Sequence, residues 1–275
     1  INIKLNVSNP GGSEDNTVID ISKMHFSMIG NPFDLNAIVR NPVSDPYVDA
    51  RLFARLDLAD ISKVYPLEEN EALQGLLDAD VTIKGRQSAF ERQQYEKYEV
   101  NGSLLMKDFE YSMEGYDNEF SIKNAKMNFT PAYLDLLNLD FLYAESDMVL
   151  KGKIENYIPY YISDGILRGR FTANSNIFNV DQFVSSSQEE DPGMAPQDEE
   201  ELTAFKVPAN LDMEISAVFR ELVYDSLSIR NVRGKLLVRD EKVMMSKLEG
   251  GIFGGRVNLS GSYNTYNTDT PLVDM

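Results

Sequence analysis

Apolar and polar residues alternate with a period of two along most of this chain. The pattern begins with Ile1, Ile3, Leu5 and Val7 and recurs in the stretches 33–39, 48–56, 98–106, 137–143 and 211–215. Such alternation is typical of β-strands with one apolar face and one solvated face. Turn signals such as NPGG, GNP, RNPVSDP and SDG separate the strands at intervals too short for a helical crossover, so we expect mainly antiparallel pairing.

Helical signals are few and short. They are the stretches DLADISKVYP, LEENEAL, PAYLDLL and IENYIPYYI, the last of which is interrupted by Pro159. Each predicts a helix of a few turns at most. The sequence therefore predicts a mainly β fold, a long curved antiparallel sheet shaped like a gutter with a few short helices. A closed β-sandwich is the alternative.

An internal repeat supports stacking of one strand unit. LQGLLDADV at 73–81 aligns with LRGRFTANS at 167–175, and a looser copy is VRGKLLVRD at 232–240. Each of the first two follows a short helical stretch that contains Tyr-Pro or Pro-Tyr. Repetition of one unit that stacks edge to edge explains these matches.

Residues 185–201 interrupt the strand pattern. The stretch SSSQEEDPGMAPQDEEE is acidic, has two prolines and carries almost no apolar residue, so burial could not offset its ordering entropy. The sequence predicts three parts: a repeating sheet with short helices over 1–184, an acidic disordered insertion over 185–201, and a continuation of the same sheet over 202–275. A domain boundary at the insertion is the alternative.

Charge and composition exclude several partners. The chain has 26 Lys and Arg against 44 Asp and Glu, which gives a net charge of −18. Nucleic-acid binding depends mainly on attraction between basic residues and phosphates, and this acidic chain would repel the phosphates instead. Adsorption to an anionic membrane by a basic patch is disfavoured for the same reason. There is no cysteine, hence no disulfide, no thiolate metal site and no cysteine nucleophile. No apolar run reaches the length of a membrane span, and the start INIKLNV predicts that any anchor lies outside this sequence.

Candidate catalytic residues are scarce, and we predict no enzyme, cofactor or metal site. His25 is the only histidine and stands among strand residues. Asp78 and Asp80 would share one face of a strand, an arrangement used by glycosidases and calcium sites, but no calcium-loop pattern surrounds them. They are better interpreted as a solvated strand face. The tyrosines 157, 160 and 161 are interpreted as packing on a short helix.

The glycine-rich stretch LEGGIFGGRVNLSGSY at 248–263 could suggest a phosphate-binding loop. Such a loop requires backbone N–H groups at a helix N-terminus. Here alternation resumes through Val257, Leu259 and Tyr263, which indicates a strand. We therefore expect the glycines to serve a tight turn and a bend at the start of a strand.

The stretches IFGGRVNLSGSY, VRGKLLVRDEKVMMSKLEG and GKIENYIPYYISDGILRGRFTANSNIFNVDQF resemble the AsmA-like family, particularly its Bacteroidetes members. The resemblance covers most of the chain. Its more specific element is aromatic-Gly-Gly-x-apolar-x-apolar-x-Gly, matched by Phe253, Gly254, Gly255, Val257, Leu259 and Gly261. The family has no catalytic motif to transfer.

The resemblance implies a periplasmic cell-envelope protein, related to TamB and tethered to the inner membrane by an N-terminal helix. Such proteins use an apolar concave sheet to hold the acyl chains of phospholipids or similar amphiphiles, and they support outer-membrane lipid homeostasis and assembly. Other envelope proteins are possible partners. The lipid-facing candidates are Leu104, Met106, Phe171, Ala173, Leu236, Val238, Val257 and Leu259. The structural glycines are Gly75, Gly169, Gly234, Gly254, Gly255 and Gly261.

The strand pattern by itself, without the resemblance, raises the question of what covers the apolar faces of the strands. Many strands present one apolar face, and the helices are too short to cover them, whereas a large exposed apolar area is costly for a soluble monomer. A second sheet would make a closed scaffold of the envelope, and lipid tails would make a carrier. A carbohydrate-active enzyme with paired acids is a third and weaker hypothesis.

Overall fold

A computed structural model of the chain describes residues 1–62, 72–112, 120–182, 206–225, 227–266 and 272–274. The chain divides into two compact units. Unit 1 consists of Ile1–Tyr143 and Lys151–Ile166, and unit 2 consists of Ala144–Leu150 and Leu167–Met275. Each unit is described separately below.

The strands of unit 1 follow one another in the sheet in chain order, and every pair from β1 to β8 is antiparallel. They are β1 Asn2–Ser8, β2 Val18–Met28, β3 Asn31–Arg40, β4 Tyr47–Asp57, β5 Ala72–Arg86, β6 Glu99–Ser112, β7 Phe120–Phe129 and β8 Tyr133–Tyr143. Strand β9, Ser146–Glu155, contributes its first half to unit 2 and its second half to unit 1.

Short helices accompany the sheet of unit 1. They are α1 Leu58–Ser62, α2 Gln87–Glu91 and α3 Tyr157–Ser163, with single 3-10 turns at Glu14–Asn16 and Tyr95–Lys97. Helix α3 matches the helix predicted from IENYIPYYI. Helix α1 matches the start of DLADISKVYP, while the remainder of that stretch and most of LEENEAL lie outside the described residues.

Unit 2 continues with strands β10 Leu167–Asn179, β11 Leu211–Tyr224, β12 Leu227–Arg239, β13 Lys242–Ile252, β14 Gly255–Asn264 and β15 Leu272–Asp274. Neighbours from β11 to β15 are antiparallel. The β10–β11 pair is parallel, with Phe171 beside Ile215 and Ala173 beside Ala217. This pair is an exception to the antiparallel sheet expected from the turn signals.

The parallel pair fixes where the chain must go after β10. Parallel neighbours require a connection that returns along the full strand length. Since β10 has 13 residues, the return covers about 43 Å. The last part of this connection, residues 206–210, is anchored to the sheet. The Val207 N–H donates to the Thr265 hydroxyl at 3.0 Å, and both residues are fully buried. The predicted insertion at 185–201 belongs to this connection and lies outside the described residues.

One predicted helix is wrong. PAYLDLL forms the start of strand β8, where Leu134 pairs with Phe129 and Leu136 with Met127. The Thr130 hydroxyl and backbone N–H bind the Tyr133 backbone, which closes a tight turn into the strand. Long-range pairing with β7 thus overrides the local helical preference of Leu and Ala.

The prediction of a mainly β fold with an open sheet is confirmed. Among the described residues, the extensive strand–strand contacts of either unit all join ladder neighbours. Within the part of the chain that the structure describes, β1 pairs only with β2 in unit 1, and β10 does not pair with β15 in unit 2. Neither unit closes on itself as the β-sandwich alternative requires.

Candidate apolar binding surface

One side of the unit 1 sheet is apolar along the whole strand order. Cross-strand partners place their side chains on the same face. A continuous row of such partners runs from β2 to β8 through Phe26, Phe33, Ala54, Ala79, Leu104, Met127 and Leu136. The next row runs from β1 to β8 through Ile3, Met24, Leu35, Leu52, Val81, Gly102, Phe129 and Leu134. We call the side that carries these rows the apolar face of unit 1.

The opposite side of the same sheet is polar. The row that alternates with the apolar rows consists of His25, Asp34, Phe53, Asp80, Ser103, Asn128 and Asp135. Only Phe53 in this row is apolar. The strict alternation in the sequence therefore becomes two chemically distinct surfaces of one sheet.

Ion pairs between neighbouring strands stabilise the polar face. Arg55 lies 2.6 Å from Asp78, Arg51 lies 3.0 Å from Asp80, and Lys84 lies 3.5 Å from Asp49. A side-chain hydrogen bond and the charge of Asp80 raise the pKa of the Arg51 guanidinium. Because both partners of each pair are solvated, water screens their attraction and each pair contributes little to the free energy of unfolding. Their main effect is to fix which face meets water.

Helices cover one end of the apolar face of unit 1. Phe90 of α2 and Ile158 of α3 are buried there together with Tyr98 and Val100, and Phe129 packs against them. The rings of Phe90 and Tyr98 lie 4.4 Å apart. Tyr98 and Tyr157 donate hydroxyl hydrogen bonds of 2.8 Å to the carbonyls of Pro131 and Thr130. Burial raises the pKa of Tyr98 to about 12 and raises that of Tyr157 as well.

Aromatic rings mark the other end of the same face. Phe109, Phe120 and Phe141 follow one another across β6, β7 and β8, with ring centroids 6.1 Å and 6.0 Å apart. Between this aromatic end and the helix-covered end, the face presents Leu104, Met106 and Met127. Methionine and leucine side chains adapt their shape to a flexible apolar partner.

The apolar face of unit 1 is open to solvent at its first strand. Ile3, Leu5 and Val7 of β1 are 54%, 58% and 58% exposed. The described strands of this unit all belong to one sheet in chain order. The row residues from β2 to β8 are half-buried or buried, so the strongly exposed part of the face is at β1. Exposed apolar surface is a feature of binding sites.

Unit 2 repeats the two-sided arrangement. Phe171, Ile215, Leu236, Met245 and Gly261 form an apolar row from β10 to β14. The adjacent row on the opposite side is mixed rather than wholly polar, and consists of Arg170, Glu214, Leu237, Met244 and Ser262. On that side, Lys235 lies 2.9 Å from Glu214 and Arg239 lies 2.7 Å from Asp212. Hydrogen bonding and charge from Lys235 lower the pKa of Glu214. We call the side that carries Phe171 and Leu236 the apolar face of unit 2.

The lipid-facing candidates predicted from alternation all lie on these two faces. Leu104 and Met106 belong to the apolar face of unit 1, where Met106 pairs with Leu77. The others belong to the apolar face of unit 2: Phe171, Ala173, Leu236, Val238, Val257 and Leu259. Ala173 is buried beside its cross-strand partner Ala217, whereas Leu259 is exposed.

The predicted structural glycines serve different purposes. Gly254 follows Phe253 at the tip of the β13–β14 hairpin, and both have positive φ, as a two-residue hairpin turn requires. Gly75 has a φ of +127°, and a Cβ there would lie 2.7 Å from the Phe109 Cα. At Gly169 and Gly234, close neighbours occupy the space of a Cβ. Gly255 has room for a Cβ, and Gly261 belongs to the apolar row of unit 2.

The residues considered for catalysis have ordinary structural partners. His25 lies 2.7 Å from Asp34 on the neighbouring strand, while Asp78 and Asp80 are held by arginines. Tyr157 packs in the helix-covered end, but Tyr161 is 89% exposed, so the packing interpretation is wrong for Tyr161. Within the described ranges, no three histidine, aspartate or glutamate side chains come close enough together to hold a metal ion.

Alternation missed two features of the surface. Helix α2, whose Phe90 covers one end of the apolar face, has no capping side chain and only five residues, so its sequence carries little helical signal. The second feature is the aromatic end, because β-bulges near Asp108 and Lys123 shift the alternation and place Phe109, Phe120 and Phe141 together. The sequence signal that could have predicted the aromatic end is the high frequency of aromatic residues between Phe109 and Phe141.

No protein-family model, curated protein or solved structure matches the chain. Among the described residues, no helix has the length and apolar character needed to cross a membrane.

Proposed function

We propose that this chain is a segment of a non-enzymatic, AsmA-like cell-envelope protein that binds or conducts phospholipids by their acyl chains. The observation that carries the proposal is the uninterrupted apolar face of unit 1. It extends over all strands from β1 to β8, and the described strands of the unit belong to one sheet.

The dimensions of that face suit lipid tails. The row from Phe26 to Leu136 crosses the strands β2 to β8, which are spaced about 4.8 Å apart, so it spans about 29 Å. The hydrocarbon core of a bilayer, which holds two layers of acyl chains, is about 30 Å thick. Each methylene removed from water on such a surface contributes up to about 0.8 kcal/mol.

The charge distribution favours recognition of tails over recognition of anionic headgroups. The chain carries a net charge of −18, and the ion pairs of unit 1 are on the polar face, away from Leu104 and Met127. Binding should therefore depend on apolar contact and change little with salt, since screening weakens charge interactions but not burial. A phospholipid or similar amphiphile, whose acyl chains provide the apolar contact, is a suitable ligand for this face.

The resemblance of IFGGRVNLSGSY and the repeat stretches to the AsmA-like family supplies the cellular setting of the proposal. In that setting the full-length protein is tethered to the inner membrane and projects into the periplasm. It supports outer-membrane lipid homeostasis and assembly, with other envelope proteins as possible partners. No bond is made or broken in this function.

The experiment has two steps. The purified chain is extracted with organic solvent and the extract is analysed for phospholipids by mass spectrometry. The delipidated protein is then titrated with a phospholipid that carries a fluorophore on one acyl chain. We expect co-purified lipid and saturable binding that unlabelled phospholipid displaces, whereas glycerophosphocholine, which has the headgroup without tails, does not.

Absence of extracted lipid together with absence of saturable probe binding would contradict the proposal. Equal displacement by glycerophosphocholine would contradict tail recognition. In either case a scaffold function, in which another envelope protein covers the apolar faces, becomes the better account.

A further inference from the structure

Regular strand pairing is interrupted at one row on the polar side of unit 2. The β10–β11 ladder skips Asn176 and Arg220, and the β11–β12 ladder skips Arg220 and Asn231. Asn231 adopts a left-handed conformation with φ 53°. On the next pair, β12–β13, the register shifts between Arg230 and Arg233. The first two ladders keep the same register on either side of the skipped pair, whereas the β12–β13 shift is an irregularity of the β-bulge type, which re-aims side chains.

A shallow concavity lies at this interruption. Its walls include Arg220, Arg233, Asn174 and Asn231, and Val218 contributes to its floor. Arg233 and Val218 are cross-strand partners, next to the Ala217–Gly234 pair that points to the apolar face. The concavity therefore opens on the side of the sheet opposite to Leu236.

The two arginines of the concavity have no carboxylate partner. Among the described residues, no acidic side chain lies within ion-pairing distance of Arg220 or Arg233, although Glu249 is the β13 partner of Arg233 across the strands. Lys235 and Arg239, further along the same strand, are both paired with acids. Arg220 and Arg233 thus place two guanidiniums without a described acidic partner in the lining of one concavity.

Asp147 also lines the concavity, and its carboxylate already has hydrogen-bond donors. It accepts hydrogen bonds from the backbone N–H of Asn176 at 2.9 Å and of Ile177 at 2.8 Å, and from the Asn176 side chain at 2.8 Å. Burial alone would raise the pKa of Asp147, but these hydrogen bonds lower it below its ordinary value. Asp147 thus holds the irregular part of β10 in place and leaves the guanidinium donors of Arg220 and Arg233 available.

We propose that this concavity binds an oxyanion of the phosphate class. The guanidiniums of Arg220 and Arg233 supply forked, charge-assisted hydrogen bonds that match phosphate oxygens, and the Asn174 and Asn231 amides supply neutral donors. The bound group is either inorganic phosphate or the phosphate ester of a larger molecule. This site is on the polar side of the sheet and does not depend on lipid binding by the apolar faces.

The full chain, labelled with ¹⁵N, is titrated with inorganic phosphate at constant ionic strength, and the side-chain amide signals of Asn174 and Asn231 are followed by NMR. We expect a saturable shift that sodium chloride does not reproduce. Arg233→Gln should weaken the apparent affinity about tenfold or more, which corresponds to the loss of a charge-assisted contact. Arg256→Gln, which changes an exposed arginine on β14 outside the concavity, should leave the affinity within about twofold.

A titration with glycerol 3-phosphate distinguishes the two sources of the anion. Tighter binding than inorganic phosphate assigns the site to an esterified phosphate, and equal or weaker binding assigns it to the free ion. If Arg233→Gln fails to fold, Arg233→Lys keeps the charge without the fork and should also weaken binding. The proposal is overturned if neither phosphate gives a saturable shift up to tens of millimolar, or if Arg256→Gln weakens binding as much as Arg233→Gln.

Discussion

Leu104 and Leu105 are consecutive residues of β6 that face opposite sides of the unit 1 sheet. Leu104 pairs with Ala79 and Met127, within the apolar row. Leu105 pairs with Asp78 and Lys126, within the polar face. Because the two side chains are identical and both are half-buried, they form an internal control for any property assigned to one face alone.

Replacement of these leucines by glutamine separates the two faces by lipid affinity. Leu104→Gln should weaken binding of the fluorescent phospholipid about tenfold, because a buried amide without a partner costs about 1–3 kcal/mol. Leu105→Gln should leave the affinity within about twofold. Thermal melts followed by circular dichroism should remain close to the wild type for both variants. Equal loss of affinity at both positions would argue against a face-specific lipid site.

Phe90 connects helix α2 to the apolar face of unit 1. Phe90→Ala should lower the free energy of unfolding by about 3–5 kcal/mol, since it removes a buried ring that contacts Tyr98. Gln87→Ala, on the same helix and only partly buried, should cost less than about 1 kcal/mol. Urea unfolding of the full chain measures both. Similar costs for the two variants would mean that α2 does not cover the sheet.

Tyr98 makes the stability of unit 1 sensitive to high pH. Its pKa rises from 10.0 to about 12 on folding, so the folded state resists ionisation of the phenol. A group with a raised folded pKa contributes stability that is fully present below its unfolded pKa and is lost as pH rises. We therefore expect loss of stability between about pH 10 and pH 12.

The variant Tyr98→Phe checks this assignment. It should reduce the slope of stability against pH between about pH 10 and pH 12, while costing about 1 kcal/mol at neutral pH through loss of the hydrogen bond to Pro131. Part of the pH dependence of stability should remain in Tyr98→Phe, because burial also raises the pKa of Tyr157. An unchanged slope in Tyr98→Phe, measured by urea titrations at several pH values, would contradict the burial of this phenol.

The parallel β10–β11 pair sets a minimum length for the connection between these strands. Deletion of residues 187–200 leaves about 15 residues between Val180 and Asn210, which reach at most about 58 Å and can still cover the return of about 43 Å. We expect the melting temperature to change little. Deletion of residues 184–205 leaves about seven residues between Val180 and Asn210, too few for the return, and should abolish cooperative unfolding of unit 2. A native melt for the longer deletion would contradict the parallel pairing.

Local alternation was sufficient to assign faces within single strands. Leu104, Leu236 and Leu259 each lie on an apolar face because the side-chain period of a strand is fixed at two residues. The direction of pairing could not be obtained in this way. Whether β11 runs parallel to β10 depends on a long connection, and the turn signals that favoured antiparallel pairing are local.

The same limit of local reasoning explains the helices and the polar site. PAYLDLL carries good helix formers, yet its leucines complete the apolar rows of β8 through pairing with β7. The concavity at Arg220 and Arg233 depends on pairing irregularities shared by neighbouring strands, which no single stretch of sequence encodes. Tyr161 was expected to pack, but its position on a short helix turns it to solvent.

Photo-crosslinking from unit 2 tests the central claim most directly. A photoreactive phenylalanine analogue is placed at Leu236, on the apolar face, or at Leu237, its neighbour on the polar side, which pairs with Glu214. The full chain is irradiated with phospholipid vesicles, and the crosslinked adducts are identified by mass spectrometry. The account predicts adducts to phospholipid acyl chains at Leu236 and none at Leu237. Equal adducts at the two positions, or no lipid adduct at Leu236 in a folded protein, would contradict acyl-chain binding by the apolar face.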